Sequence, residues 1–283
     1  MNDIIRTVVS YLVDAFIISL QQILILIGPG LLFALLMNYL AGYVQKRSYI
    51  LMGRKIYLGL FGWLGTMVHE LGHAVFCVIF RHRINKMKLF SLNPMSDKLG
   101  YVNHSYNPKS LYQSVGNFFI GIGPILFGSV VIYGLSRLLL QLDILQSIEA
   151  LRIQSMNADV WEYSLQAIAS VWNGVRMLYT GLFTGENLTD WRVYLFLYAV
   201  FCIGSSITLS PADMKGAGRG LAAFMGVLFF INVATYWIID NNLAEALRYF
   251  TRYYSFFYTT MLFAIALNVM AVFALFILSI FSR

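Results

Sequence analysis

The sequence predicts an all-α polytopic membrane protein with about six transmembrane helices and a small β-hairpin between the second and third. Of 283 residues, 59% are hydrophobic and only 12% are charged, against about 25% charged in a soluble domain. Mean hydropathy is +0.70, and apolar runs long enough to cross a bilayer recur along the chain. The net charge of +7 and the isoelectric point near 9.4 bring nucleic acid to mind. The cations, however, fall in short clusters between the apolar runs, as membrane-flanking loops do, so nucleic acid is excluded as a partner and the lipid bilayer is expected.

The N-terminus, "MNDIIRTVVSYLVDAF", has no basic leader region and no small-residue cleavage site, so no removed signal peptide is expected. The first span lies within the uncharged run from Ala15 to Gln45, interrupted by Gly28-Pro29-Gly30. That run exceeds one span, which predicts a kinked or partly interfacial helix. The second runs from Ile56 to Phe80. The stretch that follows, "RHRINKMKLFSLNPMSDKLGYVNHSYNPKS", carries two β-type runs, "MKLFSL" and "LGYVNH", around Asn-Pro and Ser-Asp turn signals, which predicts a hairpin. The third span lies within Ser110 to Ser136, with a break at Gly123-Pro124. The fourth runs from about Val193 to Leu209 and ends in "SPADMKG". The fifth covers Gly220 to Ile239, and the sixth about Ser255 to Phe281.

Residues 1–283 form one integral membrane domain in this scheme. It comprises a core at 56–220, a long polar insertion at 138–190 and two C-terminal helices at 220–283. Within the insertion, Asp159 followed by Glu162 reads as the capped start of an amphipathic helix lying at the membrane interface. Cys77 and Cys202 lie within apolar runs far apart in sequence and read as small buried hydrophobes. Cations divide evenly between the two sides of the membrane. Several on one side are spread through the long insertion, where they count for less, so the side holding the hairpin is expected to be cytoplasmic, in a bacterial cytoplasmic membrane.

The second span contains "MVHELGHAVF". Ionisable groups within a span are costly, so function is their default reading. On a helix, residues four apart lie about 40° apart around the axis and residues three apart about 60°, so His69, Glu70 and His73 share one face. This is H-E-x-x-H: two imidazoles hold one Zn2+ per chain, and the glutamate between them takes the proton of an attacking water. With four histidines in the chain, a chance match is on the order of one in a thousand. A zinc hydrolase needs a third protein ligand. Among the 13 acids, Asp213 is placed to close the fourth span on the side where the motif helix emerges. His104 and Cys77 are alternatives, and His82, between Arg81 and Arg83, reads as part of a solvated basic cluster.

"HELGHAVF" in a span, then a hairpin, then "GIGPILFG", then "SPADMKG" resembles the site-2 protease family of intramembrane zinc metalloproteases over roughly residues 56 to 220. The resemblance implies a three-helix catalytic core, zinc ligands His69, His73 and Asp213, a catalytic Glu70, and a substrate that is a transmembrane protein or peptide. The family's aspartate is usually followed by glycine, whereas Met214 stands here. Its asparagines are replaced around Ser205, Ser206, Ser210 and Phe127.

Cleavage of a helical substrate requires local unwinding. An edge strand from Met87 to Leu92 or from Gly100 to His104 is expected to hold it extended, with Leu89, Phe90, Tyr101, Val102, Asn103 and His104 as substrate-binding residues. Gly28 to Gly30 and Gly123-Pro124 are candidate flex points. The competing class is a non-catalytic membrane protein, a pseudoprotease or transporter subunit, binding transmembrane partners. The prenyl-protein endopeptidases fit less well, because they take a glutamate as third ligand and none follows the motif suitably.

Overall fold

The computed structural model describes residues 2–92, 98–142, 160–183, 185, 187–235 and 243–281. In order the elements are α1 (Asn2–Met52), α2 (Arg54–Tyr57), a π-helical turn (Leu58–Gly62), α3 (Trp63–Ile79), β1 (Arg83–Lys88), β2 (Tyr101–Ser105), α4 (Leu111–Leu140), α5 (Val160–Leu182), a 3-10 turn (Asn187–Thr189), α6 (Trp191–Gly204), α7 (Pro211–Thr235) and α8 (Leu243–Phe281). Among the described residues, four helices are long and apolar enough to cross a membrane: α1, α4, α7 and the Phe256–Leu278 part of α8.

The other two expected spans form shorter helices. The motif run divides into α2, the π turn and the 17-residue α3, and α6 has 14 residues. The first span passes through Gly28-Pro29-Gly30 as one helix. At 1.5 Å per residue it is about 75 Å long, more than twice a hydrocarbon core, so only part of it can lie in lipid tails. Asp159 lies outside the described residues, as does the Glu162 side chain. The helix after them does form, and it packs along α8, where Thr259 Oγ1 donates to the Val171 carbonyl at 3.4 Å.

The main apolar core gathers Met37 of α1, Ile132 of α4, Leu178 and Leu182 of α5, Phe196, Val200 and Ile203 of α6, and Met261 of α8. A smaller cluster of Val44, Tyr57, Leu58 and Leu275 receives Phe90 and Leu99 from either end of the hairpin connection. Polar glue joins α1 to α7: Asn232 Nδ2 donates to Ser19 Oγ at 2.7 Å and to Gln22 Oε1 at 3.0 Å, the kind of buried amide pairing that holds helices together in lipid.

The hairpin forms, but its first strand lies earlier than expected, at Arg83–Lys88 rather than Met87–Leu92. The expectation followed apolar content. The pairing instead starts as soon as the chain leaves α3, so that Ile84 lies opposite His104 and Met87 opposite Val102, while Phe90 is drawn into the small core. The second strand lies close to where it was expected, at Tyr101–Ser105.

Candidate metal centre

Two close helix contacts assemble the site. A Cβ built on Gly72, inside the H-E-x-x-H turn, would lie 2.7 Å from Pro124 Cα and 2.8 Å from the Gly123 carbonyl oxygen. The bare glycine therefore lets α3 and α4 meet backbone to backbone at "GIGP". On the far side of α4, a Cβ on Gly121 would lie 2.7 Å from both the Asp213 carbonyl oxygen and Ala217 Cβ, so α7 starts directly against it. Small residues at such crossings are what allow this approach between apolar helices.

Asp213 stands in the first turn of α7, which corrects its expected place at the end of the preceding helix. Ser210 Oγ accepts from the Asp213 amide at 3.2 Å, and Asp213 Oδ2 accepts from the Ser210 amide at 2.8 Å. This is a reciprocal capping box with Pro211 at the first helical position. Serine, proline and acid in that order announce a helix start, a signal in the sequence that the apolar run before it obscured.

The histidines are oriented from outside. His69 Nδ1 donates to the Ser206 carbonyl at 2.9 Å, and His73 Nδ1 donates to the Ile120 carbonyl at 2.7 Å. A carbonyl only accepts, so Nδ1 carries the proton in each ring, and in the neutral imidazole that leaves the lone pair on Nε2. These two Nε2 atoms face each other at 3.2 Å. Asp213 Oδ1 lies 3.4 Å from His73 Nε2, and Oδ2 lies 3.9 Å from His69 Nε2. One ligand atom from each of the three residues falls within 4.8 Å of the others.

Two lone pairs and a carboxylate oxygen pointed at one another repel unless a cation stands between them. A tetrahedral ion bound at about 2.0–2.1 Å holds its ligand atoms about 3.3 Å apart, close to two of the three separations here. The donor set therefore fits one Zn2+, and the outer carbonyls are the usual second-shell partners of metal-binding imidazoles.

Glu70 is buried between the two histidines, 7% exposed. A Cβ on Gly100 would lie 2.6 Å from Glu70 Cγ and 2.7 Å from the Leu89 carbonyl oxygen, so the ends of the hairpin connection wall in the carboxylate. Of the expected substrate-binding residues, Leu89 thus lies beside the site, Phe90 packs into the small core, and Tyr101, Val102, Asn103 and His104 form β2.

His104 does not join the trio; it faces His82, Nδ1 to Nδ1 at 3.0 Å. His82 is not a solvated basic residue but is buried, stacked on Tyr106, with Nε2 donating to the Gln113 carbonyl at 2.8 Å. Burial holds both imidazoles below the ordinary histidine range. Cys77 is fully buried and also stays outside the trio. No family model, curated protein or solved structure matches this chain.

Proposed function

We propose that this chain is an intramembrane zinc endopeptidase that hydrolyses peptide bonds within or near transmembrane segments of other proteins. The reading rests on the resemblance of its motifs to the site-2 proteases. The observation that carries it is the convergence of His69 Nε2, His73 Nε2 and an Asp213 carboxylate oxygen, with both imidazoles held as Nδ1–H tautomers. These three side chains would hold the zinc, which when bound supplies a Lewis acid and lowers the pKa of water beside it.

The chain's own groups do the rest. Glu70, on the same helical face, takes a proton from the attacking water and returns it to the leaving amine. The Ser206 and Ile120 carbonyls keep each imidazole proton on its outer nitrogen. Leu89 and Gly100 close one side of the carboxylate, so a substrate lying along this connection would meet Glu70 in extended form. In this reading α3 and α6 complete a six-span bundle, with the site nearer the cytoplasmic face.

Metal analysis and peptide cleavage by the reconstituted protein test the proposal together. The Glu70→Gln variant is expected to keep about one zinc per chain and to lose cleavage by a factor of at least ~10². Zinc retention with undiminished cleavage refutes the role of Glu70. Zinc binding without cleavage by the unaltered chain, across transmembrane substrates, favours the non-catalytic alternative.

A further inference from the structure

From Arg81 to Lys109 the chain carries six cations, Arg81, Arg83, Lys86, Lys88, Lys98 and Lys109, and a single acid, Asp97, which lies outside the described residues. In a regular strand the alternation of side chains would split the β1 cations, placing Arg83 on one face with Asn85 and Met87, and Lys86 and Lys88 on the other. The register shift between Ile84 and Lys86 prevents this. Pairing resumes with Lys86 opposite Asn103, Met87 opposite Val102 and Lys88 opposite Tyr101, and residues directly opposite share a face.

One β-bulge residue, Asn85, therefore moves Arg83, Lys86 and Lys88 onto the same face as Tyr101, Asn103 and Ser105. All six of those side chains are exposed. Ser105 Oγ donates to Asn85 Oδ1 at 3.3 Å across the bulge. The opposite face carries Ile84, Val102 and His104, which are partly covered, with His104 bonded to the buried His82, and Met87, which stays exposed at its outer end.

The height of the cationic face is fixed by what flanks it. The last turn of α3 exposes Val78 (69%) and Ile79 (49%), and the first turn of α4 exposes Leu111 (59%) and Tyr112 (50%). Apolar side chains with a tyrosine among them mark the level where hydrocarbon gives way to headgroups, and the hairpin starts within a few residues of both turns. We infer that the outer face of the hairpin, built by the bulge at Asn85, docks on anionic phospholipid headgroups through Arg83, Lys86 and Lys88. The inference is independent of the protease reading. The hairpin connection also walls in Glu70, so lipid docking would steady that wall.

The test uses the full chain with Asn103→Cys carrying a nitroxide; Cys77 and Cys202 are buried and leave the new thiol as the labelling site. Collision of the label with a neutral nickel chelate is read in vesicles of phosphatidylcholine alone and of equal parts phosphatidylcholine and phosphatidylglycerol. Each cation at an anionic surface shifts partition roughly fivefold, so accessibility is expected to fall at least about threefold in the mixed vesicles. It should recover in about 0.5 M KCl, which screens the attraction. The Arg83→Gln, Lys86→Gln, Lys88→Gln triple variant should show no fall, and the single variants, which preserve folding best, a partial one. Equal accessibility in both vesicles, or a fall that survives salt or the charge removals, overturns the inference. Stronger protection by a soluble poly-glutamate peptide in phosphatidylcholine than by phosphatidylglycerol would make an acidic protein the occupant and equally overturn it.

Discussion

The four histidines of this chain form two pairs that look alike by distance and differ in what they demand. In the first, His69 and His73 stand 3.2 Å apart through Nε2; in the second, His82 and His104 stand 3.0 Å apart through Nδ1. Outer hydrogen bonds make the difference. Both outer nitrogens of the first pair donate to carbonyls, so two lone pairs meet and a carboxylate is added beside them. In the second pair only His82 is committed outward, to Gln113, which leaves His104 free to donate its own proton into the gap. A pair that satisfies itself is structural. A pair that cannot do so, with a carboxylate beside it, has the donor set to hold a cation.

The sharpest way to break this contrast is to remove one imidazole from each pair. His69→Ala is expected to abolish zinc retention through purification, whereas His104→Ala leaves it at about one per chain, measured by elemental analysis. Equal loss in both variants would erase the distinction.

Next in size is the helix contact behind the first pair. Gly72→Ala places a methyl group against the backbone of Pro124, with no flexible side chain to yield. A destabilisation of about 1–3 kcal/mol is expected in denaturation of the detergent-solubilised protein. Gly134, which meets no atom within 4 Å of a built Cβ, is the control: its change to alanine should be neutral or mildly stabilising.

Ser210→Ala removes half of the capping box that aims Asp213 and is expected to cost about 1 kcal/mol. Because Asp213 loses the acceptor for its amide, zinc affinity should also drop, which a competition titration with a chelator reads directly.

The smallest effect concerns pH and the second pair. Burial lowers the pKa of His82 and His104 in the folded state, so their contribution to hairpin stability is full above about pH 6.5, the unfolded value. It is lost as pH falls through that value toward the lowered ones. Amide protection factors in β1 and β2, referred to the intrinsic exchange rate at each pH, should therefore fall on mild acidification and fall less in His82→Gln, where His104 alone still titrates, while those in the middle of α4 hold.

The contrast also marks what the sequence could disclose. The shared face of His69, Glu70 and His73 was legible because one helical turn fixes their mutual geometry, and the nearness of Asp213 to the two histidines was anticipated from its place along the chain. Its local setting was misjudged, since the apolar run before Ser210 hid the helix start that Ser210, Pro211 and Asp213 announce together. Gly72 and Gly121 were visible only as parts of "HELGH" and "GIGP". Their role as contact points depends on which helices meet, information spread over the whole chain. The pairing of His82 with His104 and the bulge at Asn85 lie in strand register, which the mostly polar run Arg83–Lys88, with little hydrophobic alternation, specifies weakly in sequence.

Zinc-edge X-ray absorption of the purified protein reads whether His69, His73 and Asp213 share one metal ion. Two imidazole nitrogens are expected in the coordination shell and, in Asp213→Asn, a changed oxygen contribution with both imidazoles retained. A shell with fewer than two imidazoles, or one that Asp213→Asn leaves untouched, would rule out a shared ion.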